Sequence, residues 1–390
     1  MKITPRVAVT LTFIAFGAMM GAQLGAIPVL KAQSGTDSFW FGVLTSVGTA
    51  ANIVAMSLGG QIAKRFDNRS VMLFIMPVIF AALVYSLMVQ SVFAFGLSFI
   101  LLMTSIGALD LFMNAEAAVV EHDAGKPLFG GFHGAVLLAM GLFGLISSFI
   151  AVNYGAVWSL IPPLPFTIAA IYAVNKAIPH RPVTASHESA SQGEFPRKIL
   201  ILMGVVVGLE VAAEFTCVQW SGQLLAALQP KLAAYSGLGI AFYGLFSGGI
   251  RVVGDRLRQR FDDLKLVAVS LCVGLVGFVT LALDPGFLIS VIAFAVVGIG
   301  QGLIFPCLFS QAARLAPANR ASAFGLISLV SGPPRILLPL LLGILAQSFG
   351  IASIYLASAI GIATAIGFSM WIAREIDKRK EAQVSPRLAT

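Results

Sequence analysis

Apolar residues fall along this chain in long, nearly unbroken blocks rather than in the short amphipathic periods of a soluble protein. Twelve blocks stand out, at about 6–30, 39–63, 70–89, 93–121, 128–152, 155–175, 199–228, 233–254, 265–283, 286–313, 321–347 and 350–373. A helix rises about 1.5 Å per residue, so crossing the hydrocarbon core of a bilayer takes roughly 20 residues. The pattern predicts an all-α polytopic membrane protein with twelve transmembrane helices. Polar stretches between the blocks are short except for KAIPHRPVTASHESASQGEFPRK at 176–198, which is rich in Ser, Pro and charge as a flexible linker should be. It divides six spans from six. The expected organisation is a six-helix bundle over 1–175, a cytoplasmic linker over 176–198, a second bundle over 199–373 and a cytoplasmic tail over 374–390.

The two halves repeat at a constant offset of 195 residues. Gly42 falls on Gly237, Gly59 on Gly254, Gly107 on Gly302, Phe129-Gly130 on Phe324-Gly325 and Gly155 on Gly350. Small residues match often by chance in such a chain. The triplet Arg65-Phe66-Asp67 on Arg260-Phe261-Asp262, in the same register, is harder to attribute to chance.

Composition changes the picture little and charge changes it more. Hydrophobic residues make up 58% of the 390 and charged residues only 11%, against about 25% charged in a soluble domain. Most of the surface must therefore face lipid, and no room is left for a soluble enzyme domain. The first block, Val7 to Leu30, is longer than a signal-peptide core and is expected to stay as a span. The net charge of +8 does not indicate nucleic acid, because Lys and Arg cluster between spans. With the N-terminus in the cytoplasm, 21 of them fall in cytoplasmic segments and two, Lys31 and Lys231, in outer loops. By the positive-inside rule both termini are cytoplasmic, in a bacterial inner membrane. Cys217, Cys272 and Cys307 all lie in apolar blocks without metal-ligand spacing. No phosphate loop, metal cluster or catalytic triad is present, so neither a cofactor nor a metal is expected, and the chain is not expected to be an enzyme.

Three motifs carry a family resemblance. The loop after span 2, GGQIAKRFDNRSV (Gly59–Val71), and its echo GDRLRQRFDDLKLV (Gly254–Val267) resemble the loop signature of the major facilitator superfamily. The first copy departs from the family at Lys64, where an acid is usual, which puts its conformational lock in question. The stretch Ile106–Gly134 holds Gly107, Leu109, Asp110, Asn114 and then Phe132-His133-Gly134, and span 7 holds Glu214 and Trp220-Ser221. These look like a bacterial branch of that superfamily near the fucose permeases. The resemblance implies two pseudo-symmetric six-helix halves, a binding site between them near the midplane, and a proton carrier at Asp110.

The residues themselves point the same way. A carboxylate within the bilayer is costly and normally faces a cavity. Asp110 is such a group, and Asn114 lies one turn on along the same face. Glu210 and Glu214 are likewise one turn apart in span 7, so at least one is expected to be protonated or paired. Glu214 is the better proton-coupling candidate. Arg335 follows Pro333-Pro334, which are expected to interrupt the helix and expose carbonyls. Its guanidinium serves either as a substrate ligand or as a partner for Glu210 or Glu214. Gln23, Asn52, Trp220 and Gln301 are further candidate substrate contacts. Arg65, Asp67, His133, Asp255, Arg256 and Arg260 are gating candidates at the cytoplasmic loops. Arg251 is expected to form an ion pair with Asp255.

The leading expectation is a proton-coupled carrier of a small polar solute, sugar-like or organic acid. Its partners are the substrate, protons and lipid, and the chain is expected to work as a monomer. The alternatives are a drug or metabolite exporter of the same fold and a membrane sensor or assembly protein that no longer transports.

Overall fold

In lipid no water can satisfy a backbone N–H or C=O, so each apolar block closes its own hydrogen bonds as a helix. A computed structural model describes residues 3–125, 128–180, 195–317 and 319–384, with the side chains of Asp255, Ala321 and 380–384 outside the description. Part of the expected linker and the end of the expected tail thus lie outside the described residues.

The first six spans are α1 (Pro5–Ser34), α2 (Ser38–Ile62), α3 (Asn68–Leu87), α4 (Val92–Ala124), α5 (Phe129–Tyr154) and α6 (Leu164–Ala177), the last entered through a 3-10 turn at Ala156–Leu160. The second six are α7 (Arg197–Leu228), α8 (Leu238–Arg260), α9 (Asp263–Ala282), the broken pair α10 (Phe287–Gln301) and α11 (Ile304–Leu315), then α12 (Arg320–Phe349) and α13 (Ala352–Val384). Among the described residues, twelve helical segments are long and apolar enough to cross a membrane. We call the end that holds residue 5 the near end and the opposite end the far end.

The repeat seen in the sequence is a repeat of contacts. Gly42 of α2 lies against Gly343 and the Pro339 carbonyl of α12, and its counterpart Gly237 lies against Gly144 and Leu145 of α5. These are the two seams between the halves, α2 on α12 and α8 on α5. Gly107 packs on Asn52, and its counterpart Gly302 on Ser247 and Ile250. The repeated aspartates are helix caps: Asp67 accepts the amide of Ser70 at the start of α3, and Asp262 accepts those of Leu264 and Lys265 at the start of α9. Gly155 and Gly350 both end a far-end turn at positive φ, 101° and 84°, a conformation that costs glycine little.

Hydrogen bonds joining the halves gather at the far end. Lys31 donates to Gln223, the amide of Ser38 to Gln347, and Ser148 bonds Ser236 and the Ala234 carbonyl. Trp220 stands edge-on to Phe41 at 5.1 Å, and the Lys31 ammonium sits 5.2 Å from both rings. The structure is therefore a form sealed at the far end.

Two expectations need correction. Pro333 and Pro334 do not interrupt span 11, since α12 runs unbroken through them and through Pro339. Neighbouring helices hold the backbone helical where proline alone would break it. The irregular backbone lies in span 10, at Gly302-Leu303 between α10 and α11. Pro306 has no N–H to donate to the Gly302 carbonyl four residues back, and that carbonyl instead accepts Nε of Arg251 at 3.1 Å.

Candidate functional site

On the N-terminal side, α4 and α5 build a short polar chain. Nδ2 of Asn114 donates to Oδ1 of Asp110 at 2.9 Å, and Nε2 of His133 meets Oδ1 of Asn114 at 3.1 Å. With the asparagine oxygen accepting, the imidazole must carry its proton on Nε2. Phe13 and Phe129 flank the ring at 5.4 and 4.8 Å. Asp110 and Asn114 are half-buried. His133 thus belongs to the Asp110 chain, where the sequence alone placed it with the loops.

On the C-terminal side, α7 presents Glu210, Glu214, Cys217 and Ser221 on one face, and α8 presents Tyr243, Ser247 and Arg251 on another. Arg251 lies 4.0 Å from Glu214, with side-chain exposures of 16% and 20%. Neither side chain is therefore sealed in the packing. Glu210 is fully buried and neither of its carboxylate oxygens has a hydrogen-bond partner. Gln301, also fully buried, donates to the Glu210 backbone carbonyl at 3.3 Å and keeps its own oxygen unpartnered. The hydroxyls of Tyr243 and Ser247 are buried and unpartnered too.

Arg335, midway along α12, joins the two sides. Its guanidinium interacts electrostatically with Asp110 of one half and with Glu214 and Glu210 of the other, and its buried Nε has no hydrogen-bond partner. A direct Arg335–Glu214 ion pair is not formed. Arg251 holds that place, while its expected partner Asp255 has a side chain outside the description. Proline 306 and Gly302 were the sequence signals that could have found the role of Arg251.

The remaining candidates divide. Gln23 is buried with both amide atoms unpartnered. Asn52 spends its amide on the Met103 carbonyl, tying α2 to α4. Trp220 is fully buried in the far-end seam. Arg65, Arg256 and Arg260 are exposed at the near end. Asp67 caps α3 and accepts His180, which with Asn175 also meets Arg69. Desolvation pushes the Asp67 carboxyl up, but hydrogen bonds from Ser70 and His180 outweigh it and hold the group below its usual value of 3.8. In the other half Asp263 is buried between Arg258 and Arg314. Glu116, off the Asp110 face, accepts Asn68, and Glu121 caps the start of α5 through the amides of Leu128 and Phe129.

Charged groups of both halves converging inside a twelve-helix bundle are what a solute carrier needs. The family model of the Major Facilitator Superfamily matches residues 9–337 and 233–388. The chain belongs to this superfamily. Among curated relatives, an MFS-type transporter of Yersinia pestis is 24% identical over 373 residues, covering 93% of this chain and 96% of that protein. The membrane protein MosC of Rhizobium meliloti is 22% identical, covering 93% and 90%. A crystal structure of a mutant nucleoside transporter NupG has a TM-score of 0.75 at 13% identity, covering 95% of this chain and all of that one. The human organic anion transporter MFSD10 gives 0.64 at 15%, covering 94% and 99%. A bacterial homologue of the lysosomal transporter Spinster, inward-facing and occupied, gives 0.69 at 12%, covering 94% and 96%. These structures share the superfamily fold with this chain, which is a multi-pass membrane transporter.

Proposed function

We propose that this MFS transporter is a proton-coupled carrier of a small polar solute, with Asp110 as the proton-loading carboxylate. The observation that carries the reading is the placement of Asp110, linked through Asn114 to His133 in one half, within the electrostatic reach of Arg335 in the other. An ionised Asp110 attracts Arg335 across the interface between the halves, and a protonated one does not. Loading a proton thus changes the force between residues 1–175 and 199–373, which alternating access requires. The charge asymmetry supports cytoplasmic termini in an inner membrane. In that orientation the sealed far end is the outer one, and the state is inward-facing.

Solute contacts fall to groups with unspent hydrogen-bonding capacity: Gln23, Gln301 and Arg335, with Asn114 beside the proton site. The unpartnered Arg335 Nε suits a carboxylate or carbonyl oxygen of the solute. The nucleoside and organic-anion transporters that share the fold handle solutes of that polarity. The finer likeness to the fucose permeases is consistent with the same class.

Asp110→Asn in proteoliposomes is the test, against a panel of sugars, nucleosides and carboxylates. The variant mimics the protonated form, so proton-driven accumulation should vanish while exchange persists. Uphill uptake with unchanged pH dependence would remove Asp110 from the role. Transport of amphiphilic drugs alone would favour an exporter, and no transport by folded protein a sensor.

A further inference from the structure

Three carboxylates and two guanidiniums lie in one electrostatic group inside the bundle: Asp110, Glu210, Glu214, Arg251 and Arg335. If all five are ionised, one negative charge is left unbalanced. An unbalanced charge buried in a low-dielectric interior is not sustained, and the group takes up a proton instead. The surroundings of each acid say where that proton sits. Asp110 accepts a hydrogen bond from Asn114. Glu214 lies beside Arg251 and is part-exposed. Glu210 alone of the three is fully buried with both oxygens lacking a partner.

The groups facing Glu210 are few. Its own helix offers Glu214, with Cys217 two turns on along the same face; α8 offers Arg251 and Tyr243, and α12 offers Arg335. From α10 the amide of Gln301 approaches, and it binds the Glu210 backbone carbonyl. A metal cation would meet two guanidiniums there, whereas a proton needs one oxygen.

We propose that Glu210 is a second proton site of this transporter, occupied in the state shown and emptied when Arg251 swings from Glu214 to Glu210. The exchange moves one proton between two glutamates one helical turn apart while Arg251 stays the counter-ion of whichever is ionised. Charge inside the half is conserved as the proton passes from the buried oxygen to the part-exposed one. Glu214 is then the gate through which the site meets water, and the Gly302 carbonyl freed by Pro306 is the hinge contact that holds Arg251 in its present position. The proposal rests on reading the protein as proton-coupled, but its test needs no substrate.

Infrared difference spectra of the full chain in nanodiscs, at neutral pH in sodium-free buffer, should show a protonated-carboxyl C=O band. Labelling with ¹³C-glutamate should shift it. Glu210→Gln should abolish it, whereas Glu116→Gln should not. Should Glu210→Gln fail to fold, Glu210→Asp should leave a carboxyl band that ¹³C-glutamate no longer shifts, and a band still shifted in that variant would overturn the assignment. An absent band, a band insensitive to ¹³C-glutamate, or one that survives Glu210→Gln would overturn the proposal. So would a band removed by sodium chloride at constant pH, which would make this a metal-cation site. Failure of the Asp110 reading would appear separately, as unchanged uphill uptake in Asp110→Asn.

Discussion

Arg251 shows how one side chain can be placed by the backbone fault of another helix. It spans the 4.0 Å to Glu214 while its Nε takes the carbonyl that Pro306 cannot serve. Removing only one member of an ion pair strands the other charge, and for fully buried pairs this costs roughly 3–5 kcal/mol. Both side chains here are partly solvated, so Arg251→Gln should cost roughly 1–3 kcal/mol, less than a buried pair. Arg251→Gln/Glu214→Gln should recover most of it, read as thermal stability in detergent. A double variant less stable than the single would mean the two residues do not form a pair. Asp110 and Glu214 were visible in the sequence because acids within apolar blocks are conspicuous. The partner of Glu214 was not, because Arg251 had a nearer acid in sequence, and only the helix break in span 10 turns it towards span 7.

At the scale of elements, spans were readable to within a few residues, apart from the extension of α13 to Val384. Length and apolarity decide a span whatever its neighbours do. Kinks were less readable: a pair of prolines in span 11 looked disruptive and is accommodated, while a single proline four residues after a glycine breaks span 10. Asp67 and Asp262 cap α3 and α9 at equivalent positions. Replacing either by Ala should cost about 1 kcal/mol. The Asp67 contribution should be fully present above its unfolded value near 3.8 and fade as pH falls through the lower folded value. Acid unfolding of Asp67→Ala that matches wild type would refute this. At the far end, Gly42 meets the backbone of α12 with no room for a side chain. Gly42→Val should hold that seam open, raising thiol labelling of a cysteine at Gln223 several-fold. Unchanged labelling would mean that the α2–α12 contact does not set the seal.

The whole molecule is a pair of six-helix halves whose hydrogen-bonded seam lies at one end and whose shared charges lie in the middle. Fold and repeat were legible because a constant 195-residue offset survives in glycines and caps. The conformation was not, because the seal is made by contacts across the halves that no single segment encodes. A carrier must exchange this seal for one at the other end. Electron-spin distances between labels at Phe39 and Ser348 report on the far end, and between labels at Leu58 and Leu329 on the near end. Under a change of pH or with substrate, the far-end distance should lengthen while the near-end distance shortens. Two distances that stay fixed, or that change together, would contradict alternating access in this protein.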